Sequence, residues 1–597
     1  MYCVGWVEER NPTKLPNKED KELLRVHSEN ELQLNADVLV IGGGPAAAWA
    51  AWAAASQGVK VIVVDKGFLG TSGAAAASGN GIMAPTPENW DKVLSERYCL
   101  GKNLANLRWL ERVIEKTWLS LPLVEDWGYR FPKENGESVR QSYYGLEYMR
   151  VLRKTLLRLG VQILDQSPAL ELLLADDGSV AGARGVQRQK HCTYTVRASA
   201  VVMANGGCAF LSKALGCNTN TGDGLLMAVE AGGELSSMEA SNHYAISTAF
   251  NATVTRGVPF GWASYTDEAG NDLGGYINGR RDPSFLPNAL LKGSVYARLD
   301  RATPEVKAVI ERSHFIAFLP YKKAGIDPYT ERVPVTLVLE GTVRGTGGIR
   351  IVNDSCATKV PGLYAAGDAA SREFLSGLAS GGGGPNAAWA ISTGQWAGVG
   401  AAAFAKSLGA SAHERVVYPV GQAGLRSQSN TVETFDSEEI VRGVQAQMFP
   451  LEKNYWRCEQ GLLDSLASLE TLWQQVQANP KQDTVSDVEF SRRAAALTAV
   501  ARWAYFSALH RTETRSEHIR VDYPETDPNQ RYYQATGGLD KLWVRRDWIK
   551  DAMSGDKPQN VKVVTGAIDI SGKDVGAQGI APLPRLSGHA QLISGDV

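Results

Sequence analysis

The sequence predicts an α/β fold built on a Rossmann-like nucleotide-binding domain. The first observation is a strand, a glycine turn, a helix and a second strand that follow one another over residues 37–66. The second is that strands ending in glycine return near residues 205 and 365, far along the chain. The third is the length of 597 residues, since one hydrophobic core usually stops growing at ~250–300 residues. We therefore expect two or three structural units.

The first nucleotide-binding element begins with the buried parallel strand DVLVI at residues 37–41. Gly42 permits a tight turn after this strand, and Gly44 lets the backbone approach a pyrophosphate. The Ala-rich helix that follows offers its unpaired N–H groups to the phosphates. The second strand ends in Asp65, which is predicted to accept hydrogen bonds from ribose hydroxyls. This order predicts a bound dinucleotide, and the alternative is a glycine-rich turn in an ordinary parallel sheet.

Later segments return to the same chemistry and decide which dinucleotide is expected. They are a set of strands and helices bordered by glycines, at 199–207, 221–235, 361–369 and 376–398. Glycine at a strand end allows the backbone to lie close to a flat ligand. The helix that starts near Asn386 would direct its positive end at the ligand and stabilise an anionic reduced flavin. A one-domain NAD enzyme would not return to nucleotide binding so far along the chain, so the sequence predicts FAD.

These segments supply the predicted cofactor site. Its residues are Gly42, Gly44, Pro45, Ala46, Asp65, Lys66, Ser72, Gly73, Gly79, Gly206, Asp223, Gly367, Asp368, Pro385, Asn386 and Ala387. A second strand–glycine turn–helix unit of this kind is not evident, so direct use of NAD(P)H is not expected. The seven cysteines contain no Cys-x-x-Cys pair, so neither a disulfide reductase nor a metal site is expected.

Six motifs resemble those of one flavoprotein superfamily. It contains succinate dehydrogenase, fumarate reductase, L-aspartate oxidase and the alpha subunit of adenylylsulfate reductase. The motifs are VLVIGGGPAA, VVMANGG, TGDGLLMAVEAG, GTGGIRI, PGLYAAGDA and the C-terminal HRTETRSEHIRVDYP. The resemblance implies an FAD-binding domain, an inserted α+β capping domain that closes over the substrate, and a C-terminal helical domain.

The predicted domain boundaries follow from this resemblance and from composition. They are a polar arm at 1–35, a discontinuous FAD-binding domain at 36–239 and 336–425, a capping domain at 240–335, a helical domain at 426–540 and a tail at 541–597. Within the FAD-binding domain, a β-hairpin is predicted to turn at Asp177-Gly178.

One departure from the family concerns the link to the flavin. Succinate and fumarate enzymes resembling this chain carry Arg-Ser-His-Thr near the flavin, and the His is bonded covalently to it. Here the segment is Thr71-Ser72-Gly73-Ala74, with Gly73 in the place of that His. The FAD is therefore predicted to be non-covalent. Ser-Gly-Ala at this place is more similar to the adenylylsulfate reductase branch.

A second departure concerns the substrate. The family motif His-x-x-x-Gly-Gly-Ile becomes Val343–Ile349, without the His. The catalytic Arg of the capping segment falls near Lys292-Gly293, and the Arg of Asn-Arg-Leu-Gly-Gly-Asn falls within Gly381–Gly384. A dicarboxylate needs fixed guanidinium groups to hold its two carboxylates. Succinate, fumarate and aspartate are therefore predicted to be poor substrates.

Four residues remain candidates for catalysis: Arg344, His243, Arg515 and His518. Arg344 lies beside the flavin-facing glycine pair, and His243 lies close to where the family often has Phe-His-Pro-Thr. Arg515 and His518 belong to the C-terminal motif, part of which packs under the active site in the family. The structural alternatives are that Arg515 forms an ion pair at a domain joint and that His243 only forms hydrogen bonds with neighbouring groups.

Composition narrows the class of partner and the location. The net charge of -2 gives no indication of a nucleic-acid or anionic-membrane partner. The N-terminus does not resemble a signal peptide, and no uninterrupted run of ~20 apolar residues is present, so a cytoplasmic location is predicted.

The predicted function is two-electron transfer between a small-molecule substrate and FAD. The electrons are expected to pass to oxygen or to a separate redox protein. The resemblance to adenylylsulfate reductase suggests a small, ferredoxin-like iron–sulfur partner, and an oligomer is left open. The alternative is an FAD-binding subunit of a larger redox complex with a degenerate substrate site.

Overall fold

The computed structural model describes residues 31–134, 136–277, 280–281, 284–380, 382–427, 434–478, 480–549 and 563–565. The strands are, in chain order, β1 (Leu32–Ile41), β2 (Val61–Val64), β3 (Gly79–Gly81), β4 (Lys133–Glu134), β5 (Glu137–Ser138), β6 (Ser142–Tyr144), β7 (Gln162–Leu164), β8 (Ala169–Ala175), β9 (Val180–Gln187), β10 (Cys192–Met203), β11 (Leu235–Ser236), β12 (His243–Thr248), β13 (Ser264–Thr266), β14 (Tyr276–Ile277), β15 (Arg280–Arg281), β16 (Val295–Arg298), β17 (Val333–Gly341), β18 (Gly348–Ile349), β19 (Leu363–Ala365), β20 (Val417–Pro419), β21 (Tyr532–Gly537), β22 (Trp543–Trp548) and β23 (Val563–Thr565).

The helices follow the same numbering along the chain. They are α1 (Pro45–Ala55), α2 (Trp90–Leu100), α3 (Leu107–Asp126), α4 (Gly145–Arg158), α5 (Asp223–Glu230), α6 (Phe285–Leu290), α7 (Pro304–Ser313), α8 (Leu319–Ala324), α9 (Glu373–Ser376), α10 (Gly383–Leu408), α11 (Ser437–Met448), α12 (Leu451–Asn454), α13 (Glu459–Val476) and α14 (Val485–His510).

The largest sheet confirms the predicted α/β fold. It has eight strands in the order β20-β8-β9-β10-β1-β2-β7, and β19 pairs with β10 beside that path. The strands β10, β1, β2 and β7 run parallel, and β19 runs parallel to β10. The four residues of β2 are all buried, as expected for a parallel strand that is covered on both faces. β1 begins earlier than predicted, because its first residue, Leu32, already pairs with Tyr194 of β10.

Helices α1 and α10 pack closely against each other, which holds the start of α1 at the edge of the sheet. Small residues make this approach possible. A Cβ added at Gly394 or Gly398 of α10 would lie 2.6 or 2.3 Å from the carbonyl oxygen of Ala46 or Ala50 in α1. A larger residue at either position would push the two helices apart.

The predicted hairpin turns where expected: β8 and β9 are antiparallel, and Gly178 between them has a φ of +77°. A separate four-stranded sheet, β12-β17-β16-β13, takes three strands from the segment predicted as a cap, and its fourth, β17, begins at the end of that segment and runs on to Gly341. It carries a hydrophobic cluster of its own, with Phe260, Tyr265 and Val335 among its buried members. The domain boundaries themselves stay predictions.

The C-terminal part combines helices with a small sheet. Helices α11 and α13 pack against α14. A capping box at Thr484 and Asp487 fixes the start of α14. The strands β21 and β22 join a five-stranded sheet in the order β18-β11-β21-β22-β23. The segment predicted as a tail therefore begins with a strand, β22. In the part of the chain that the structure describes, none of the helices has the length and apolarity needed to cross a membrane.

Candidate active site

The carboxyl ends of four parallel strands meet at one edge of the large sheet. β1 ends at Ile41, β2 at Val64, β10 at Met203 and β19 at Ala365. Backbone bonds tie the following loops together, since the N–H of Gly42 donates to the carbonyl of Val64 at 2.8 Å. Ligands of open α/β sheets bind in the crevice outside the carboxyl ends of their strands. The loops that follow these four strands are therefore brought together at this edge of the sheet.

A cleft with about 1250 Å³ of empty space, including its open mouth, lies at this edge. Most of the predicted cofactor-binding residues line it: Gly42, Gly44, Pro45, Ala46, Asp65, Lys66, Ser72, Gly73, Gly206, Asp223, Gly367, Asp368, Asn386 and Ala387. Two predicted residues do not. The backbone of Gly79 in β3 pairs with Tyr144 in β6, and Pro385 is buried in the first turn of α10.

The glycine turn after β1 is shaped as the sequence predicts. Gly42 has a φ of +123°, and a Cβ there would lie 2.3 Å from the carbonyl oxygen of Ala204. A Cβ at Gly44 would meet nothing within 4 Å, so the backbone at this point faces open space. Gly44 caps α1, whose first N–H groups have no partner inside the helix. An anion in the cleft would be stabilised by this helix terminus.

Charged side chains border the cleft beyond the end of β2. The hydroxyl of Ser72 donates to Asp65 Oδ2 at 2.7 Å, and burial raises the pKa of Asp65. Lys66 Nζ lies 2.6 Å from Asp223 Oδ2. Burial raises the pKa of Asp223, but the charge of Lys66 and the hydrogen bonds from Lys66 and Thr221 together outweigh this and lower it overall. Asp65 remains a hydrogen-bond acceptor at the predicted ribose position.

Two buried polar atoms test whether these residues fit an FAD. Asn205 and Asn386 both line the cleft, and their Oδ1 atoms accept no hydrogen bond from the described residues. A buried polar oxygen without a partner is costly, and a ligand that donates hydrogen bonds would satisfy both. Together with the open backbone at Gly44 and the acceptor at Asp65, the residues fit an FAD lying along the sheet edge.

One wall of the cleft carries two arginines that share one carboxylate. Arg344 Nε lies 3.4 Å from Glu340 Oε2, and Arg256 Nη1 lies 4.0 Å from Glu340 Oε1. Both arginines line the cleft, whereas Glu340 is fully buried behind them. Arg256 is only 6% exposed, and its Nε has no hydrogen-bond partner among the described residues. Arg256 therefore keeps an N–H donor that no described residue uses.

The electrostatics of this wall follow from burial and from the shared carboxylate. Glu340 raises the pKa of Arg344, while burial and the neighbouring Arg344 lower that of Arg256. Burial alone would raise the pKa of Glu340, but Arg344, His243 and Arg256 lower it, so Glu340 is ionised. Burial and Glu340 raise the pKa of the Cys217 thiol, which also lines the cleft. Cys217 therefore keeps its proton at neutral pH.

The structure separates the four predicted catalytic residues. Arg344 lines the cleft. His243 does not, and its Nδ1 lies 2.5 Å from Glu517 Oε1. Arg515 donates from Nε to Glu513 Oε1 at 2.7 Å and does not line the cleft. This matches the structural alternative of an ion pair at a joint between segments.

His518 is also held inside a network away from the cleft. Its Nε2 donates to the carbonyl of Arg511 at 3.0 Å, and its Nδ1 accepts from Arg457 at 3.2 Å. Burial and the charge of Arg457 hold the pKa of His518 well below its ordinary value. The ring is therefore neutral, and the placement of Arg515 and His518 does not support a catalytic role for either.

The cleft lining also contains residues that were not predicted as site residues, among them Arg256, Cys217 and Tyr143. Arg256 had a signal, because it is the single charged residue in the run FNATVTRGVPFGWASYT. A lone charge in such a segment is expected to be either exposed or functional. Cys217 and Tyr143 carried no signal, since cysteine and tyrosine are common in cores.

Two family models match the chain. The model described as FAD binding domain matches residues 37–145 and 135–246, and the model described as Fumarate reductase flavoprotein C-term matches residues 455–577. A fumarate reductase flavoprotein subunit from Haemophilus influenzae is 24% identical over 571 residues, which cover 83% of this chain and 90% of that protein. An L-aspartate oxidase from Mycobacterium bovis is 25% identical over 546 residues, which cover 83% of this chain and 94% of that protein.

Solved structures agree on the fold. A quinol fumarate reductase chain from E. coli has a TM-score of 0.72 at 20% identity and covers 89% of this chain and 99% of its own length. Adenylylsulfate reductase from Archaeoglobus fulgidus has a TM-score of 0.70 at 16% identity, with 90% of this chain and 99% of that chain covered.

Proposed function

Because this chain is an FAD-dependent oxidoreductase of the flavoprotein superfamily that includes fumarate reductase and L-aspartate oxidase, we propose that it acts on a small substrate with a single negative charge. The charge balance of the cleft wall carries this proposal. Arg256 and Arg344 supply two positive charges, and Glu340 removes one. Asp368 is neutralised by Arg372 at 2.6 Å. One positive charge is left for the substrate.

When FAD is bound, it supplies the two-electron chemistry, and the protein supplies binding, orientation and electrostatics. Arg344 and Arg256 hold the anionic group of the substrate against the wall. Guanidinium groups suit this task because their donors are fixed in a planar fork. The buried Glu340 keeps both arginines in place from behind.

Two groups on the wall are suited to exchange a proton with the substrate. The pKa of Asp368 is raised by burial, although Arg372 opposes this. The Cys217 thiol keeps its proton because burial raises its pKa. Both residues line the cleft with Arg344, so a substrate held by the arginine lies within the same space. Asp368 is the better general acid or base, since burial moves its pKa toward neutral pH.

A charge of one rather than two distinguishes this proposal from the substrates named for the relatives. The test is an anaerobic titration in which flavin absorbance is followed with matched pairs, such as succinate and its monoamide. We expect the monoanion of a pair to perturb or bleach the flavin at lower concentration. Tighter binding of each dianion than of its matched monoanion would contradict the proposal.

Variants connect this result to the arginines. We expect Arg344→Gln to weaken monoanion binding by about 1.5–3 kcal/mol, the contribution of hydrogen bonds to charged groups, or roughly 10–150-fold. Arg256→Gln should act in the same direction. The control is Arg332→Gln, which changes an exposed arginine that donates to Thr266. If all three variants retain FAD, weaker binding of the monoanion comes from the changed arginine and not from a lost cofactor.

The second candidate is an FAD-binding subunit with a degenerate substrate site. It is favoured by Val343, which stands in place of the family's His on the cleft wall. A flavin that no small anion perturbs would favour this candidate. In either case we propose that electrons pass to oxygen or to an iron–sulfur partner. A cytoplasmic location is part of the same proposal.

A further inference from the structure

Two tryptophans stand out in the helix that begins at the cofactor cleft. After Pro45, α1 contains only alanine, apart from Trp49 and Trp52. Alanine suits this helix because it packs closely on α10 and on the sheet. Trp49 is completely buried, whereas Trp52 is half-buried. The two rings lie edge to face with their centroids 5.5 Å apart.

These rings belong to an unbroken row that starts in the cleft. Tyr143 lines the cleft, and its ring centroid lies 4.5 Å from that of Tyr148. The Tyr148 oxygen accepts a hydrogen bond from Trp49 Nε1 at 2.7 Å. Trp49 then contacts Trp52 and also Trp127, at 4.9 Å between centroids. The members from Tyr143 to Trp49 are at most 4% exposed, so the row crosses the protein interior.

The far end of the row reaches the surface. Trp52 lines a second cavity, open to solvent, between α1, α3 and α10. Trp127, at the C-terminus of α3, is half-buried and lies 5.1 Å from Trp52 between centroids. The row therefore connects the cofactor cleft to a solvent-facing cavity on another side of the domain.

Tyrosine and tryptophan are among the side chains most easily oxidised by one electron. Transfer between rings in contact is fast because electronic coupling falls steeply with distance. We propose that Tyr143, Tyr148, Trp49 and Trp52 form a relay that carries oxidising equivalents from the cleft to the surface, where a thiol or ascorbate-type reductant removes them. The relay rests on the proposed flavin cleft, since a reduced flavin bound there would supply such oxidants by passing single electrons to oxygen.

Each step balances as the transfer of one electron with one proton. An oxygen-centred radical in the cleft takes a hydrogen atom from the Tyr143 phenol, and Tyr148 restores it. Trp49 then gives an electron to the Tyr148 radical, and the Nε1 proton follows along the existing hydrogen bond. Trp52, whose ring meets Trp49 edge to face, restores Trp49 by giving it an electron and its own indole proton. The solvent reductant finally gives a hydrogen atom to Trp52, so the net change is one hydrogen atom moved from the reductant to the radical.

Ordinary core packing is the alternative, because buried aromatic rings usually serve that purpose. Packing does not by itself call for contacts that continue from the cleft to solvent. It does account for the Trp49–Tyr148 hydrogen bond, since a buried indole N–H usually finds a partner. That contact is what a proton-coupled step needs, because it joins the donor nitrogen directly to the radical oxygen.

The test uses blue light on the flavin-loaded protein to generate an oxidant in the cleft. Freeze-quenched electron paramagnetic resonance should show a tryptophan-type radical in the wild type. Peptide mass spectrometry should locate oxidation on Trp52 or Trp127. In Trp49→Phe the radical should be of the tyrosine type, and oxidation of Trp52 should fall to the level of unilluminated protein. In Trp52→Phe, which leaves the buried core intact, oxidation should move to Trp127.

The matched control is Trp503→Phe, another buried tryptophan, whose Nε1 donates to the carbonyl of Gly538. It should behave as the wild type. An unchanged tryptophan radical in Trp49→Phe, or none in a yellow wild type, overturns the relay and leaves the proposed function intact. A colourless protein that takes up no FAD overturns both, and the absorbance spectrum distinguishes the two results.

Discussion

At the scale of a residue, Gly73 bears on whether the flavin is bonded covalently to the protein. It lines the cleft with a φ of +85°, a backbone conformation that glycine adopts without strain. A Cβ at this position would meet nothing within 4 Å, so space does not exclude a side chain here. Glycine offers no nucleophile, whereas the family members that bond their flavin covalently have a His in this place.

From this we expect acid precipitation to release all of the FAD into the supernatant. Without a histidine at position 73, the cofactor is held by hydrogen bonds and by the helix terminus at Gly44, which denaturation removes. The measurement is the flavin absorbance of pellet and supernatant. Flavin fluorescence on the denatured protein band in a gel would show a covalent bond and contradict this prediction.

Arg256 illustrates the limit of reasoning from motifs at the residue scale. Other residues stand where the family has its arginines, which predicted that succinate, fumarate and aspartate are poor substrates. The structure brings a different arginine, Arg256, to the same cleft as Arg344. Arg256 reaches the cleft from the loop between β12 and β13, so the site keeps its charge through residues that the motifs do not include.

At the scale of an element, the short helix α9 contains a buried acid. Glu373 opens α9, and its Oε2 accepts hydrogen bonds from Ser236 at 2.5 Å and Ser237 at 2.6 Å. These bonds join α9 to the end of β11. Burial outweighs them and raises the pKa of Glu373 to about 7. The protonated acid is therefore the form that the fold favours.

This predicts a pH dependence with a definite sign. The folded pKa of about 7 lies above the ordinary 4.5, so the stabilisation is fully present below 4.5 and is lost as the pH rises through 7. The loss is about 3 kcal/mol at ~1.36 kcal/mol per pKa unit. Glu373→Gln should remove this component, so urea unfolding should show the variant gaining on the wild type between pH 4.5 and 7.

The control for this experiment is Glu111→Gln, which changes an exposed glutamate of α3. Its stability should follow the wild type at every pH. A difference between Glu373→Gln and the wild type that does not vary with pH would mean that Glu373 is ionised throughout and that its serine partners outweigh its burial.

At the scale of the whole molecule, the cleft joins segments that are distant in sequence. Its lining runs from Ile41 to Ala390 and draws on strands, loops and the starts of α1 and α10. The four-stranded sheet packs around a hydrophobic cluster of its own, apart from the main core. A ligand in the cleft would contact the strand ends, the loops and the starts of α1 and α10 at once.

We therefore expect FAD to stabilise the protein as a unit. At a free FAD concentration of about 100 times Kd, the free energy of unfolding should rise by about 2.7 kcal/mol. Urea unfolding of the apoprotein with and without FAD measures this gain. NAD at the same concentration is the control and should give no comparable gain. Equal stabilisation by NAD would contradict the choice of FAD from the later glycine segments.

The sequence by itself determined the nucleotide-binding elements of this protein. The strand after Asp37, the turn at Gly42 and the hairpin at Asp177-Gly178 are formed by neighbouring residues. Their signals are therefore local: apolar runs for buried strands, and glycine where the backbone must turn tightly or approach a ligand. For the same reason, most predicted cofactor residues line one cleft. Gly79 and Pro385 do not line it, because being near a glycine loop does not determine which way the backbone faces.

Only the tertiary structure decided which charged residues meet at the cleft and which partners surround the C-terminal motif. Arg256, Glu340 and Cys217 meet through strand pairing and packing, which no spacing in the sequence records. Arg515 and His518 belong to a motif typical of the family, but Glu513 and Arg457 hold them inside a buried network. A charged residue can serve a ligand or a neighbouring charge equally well, and the surrounding fold decides which partner it meets.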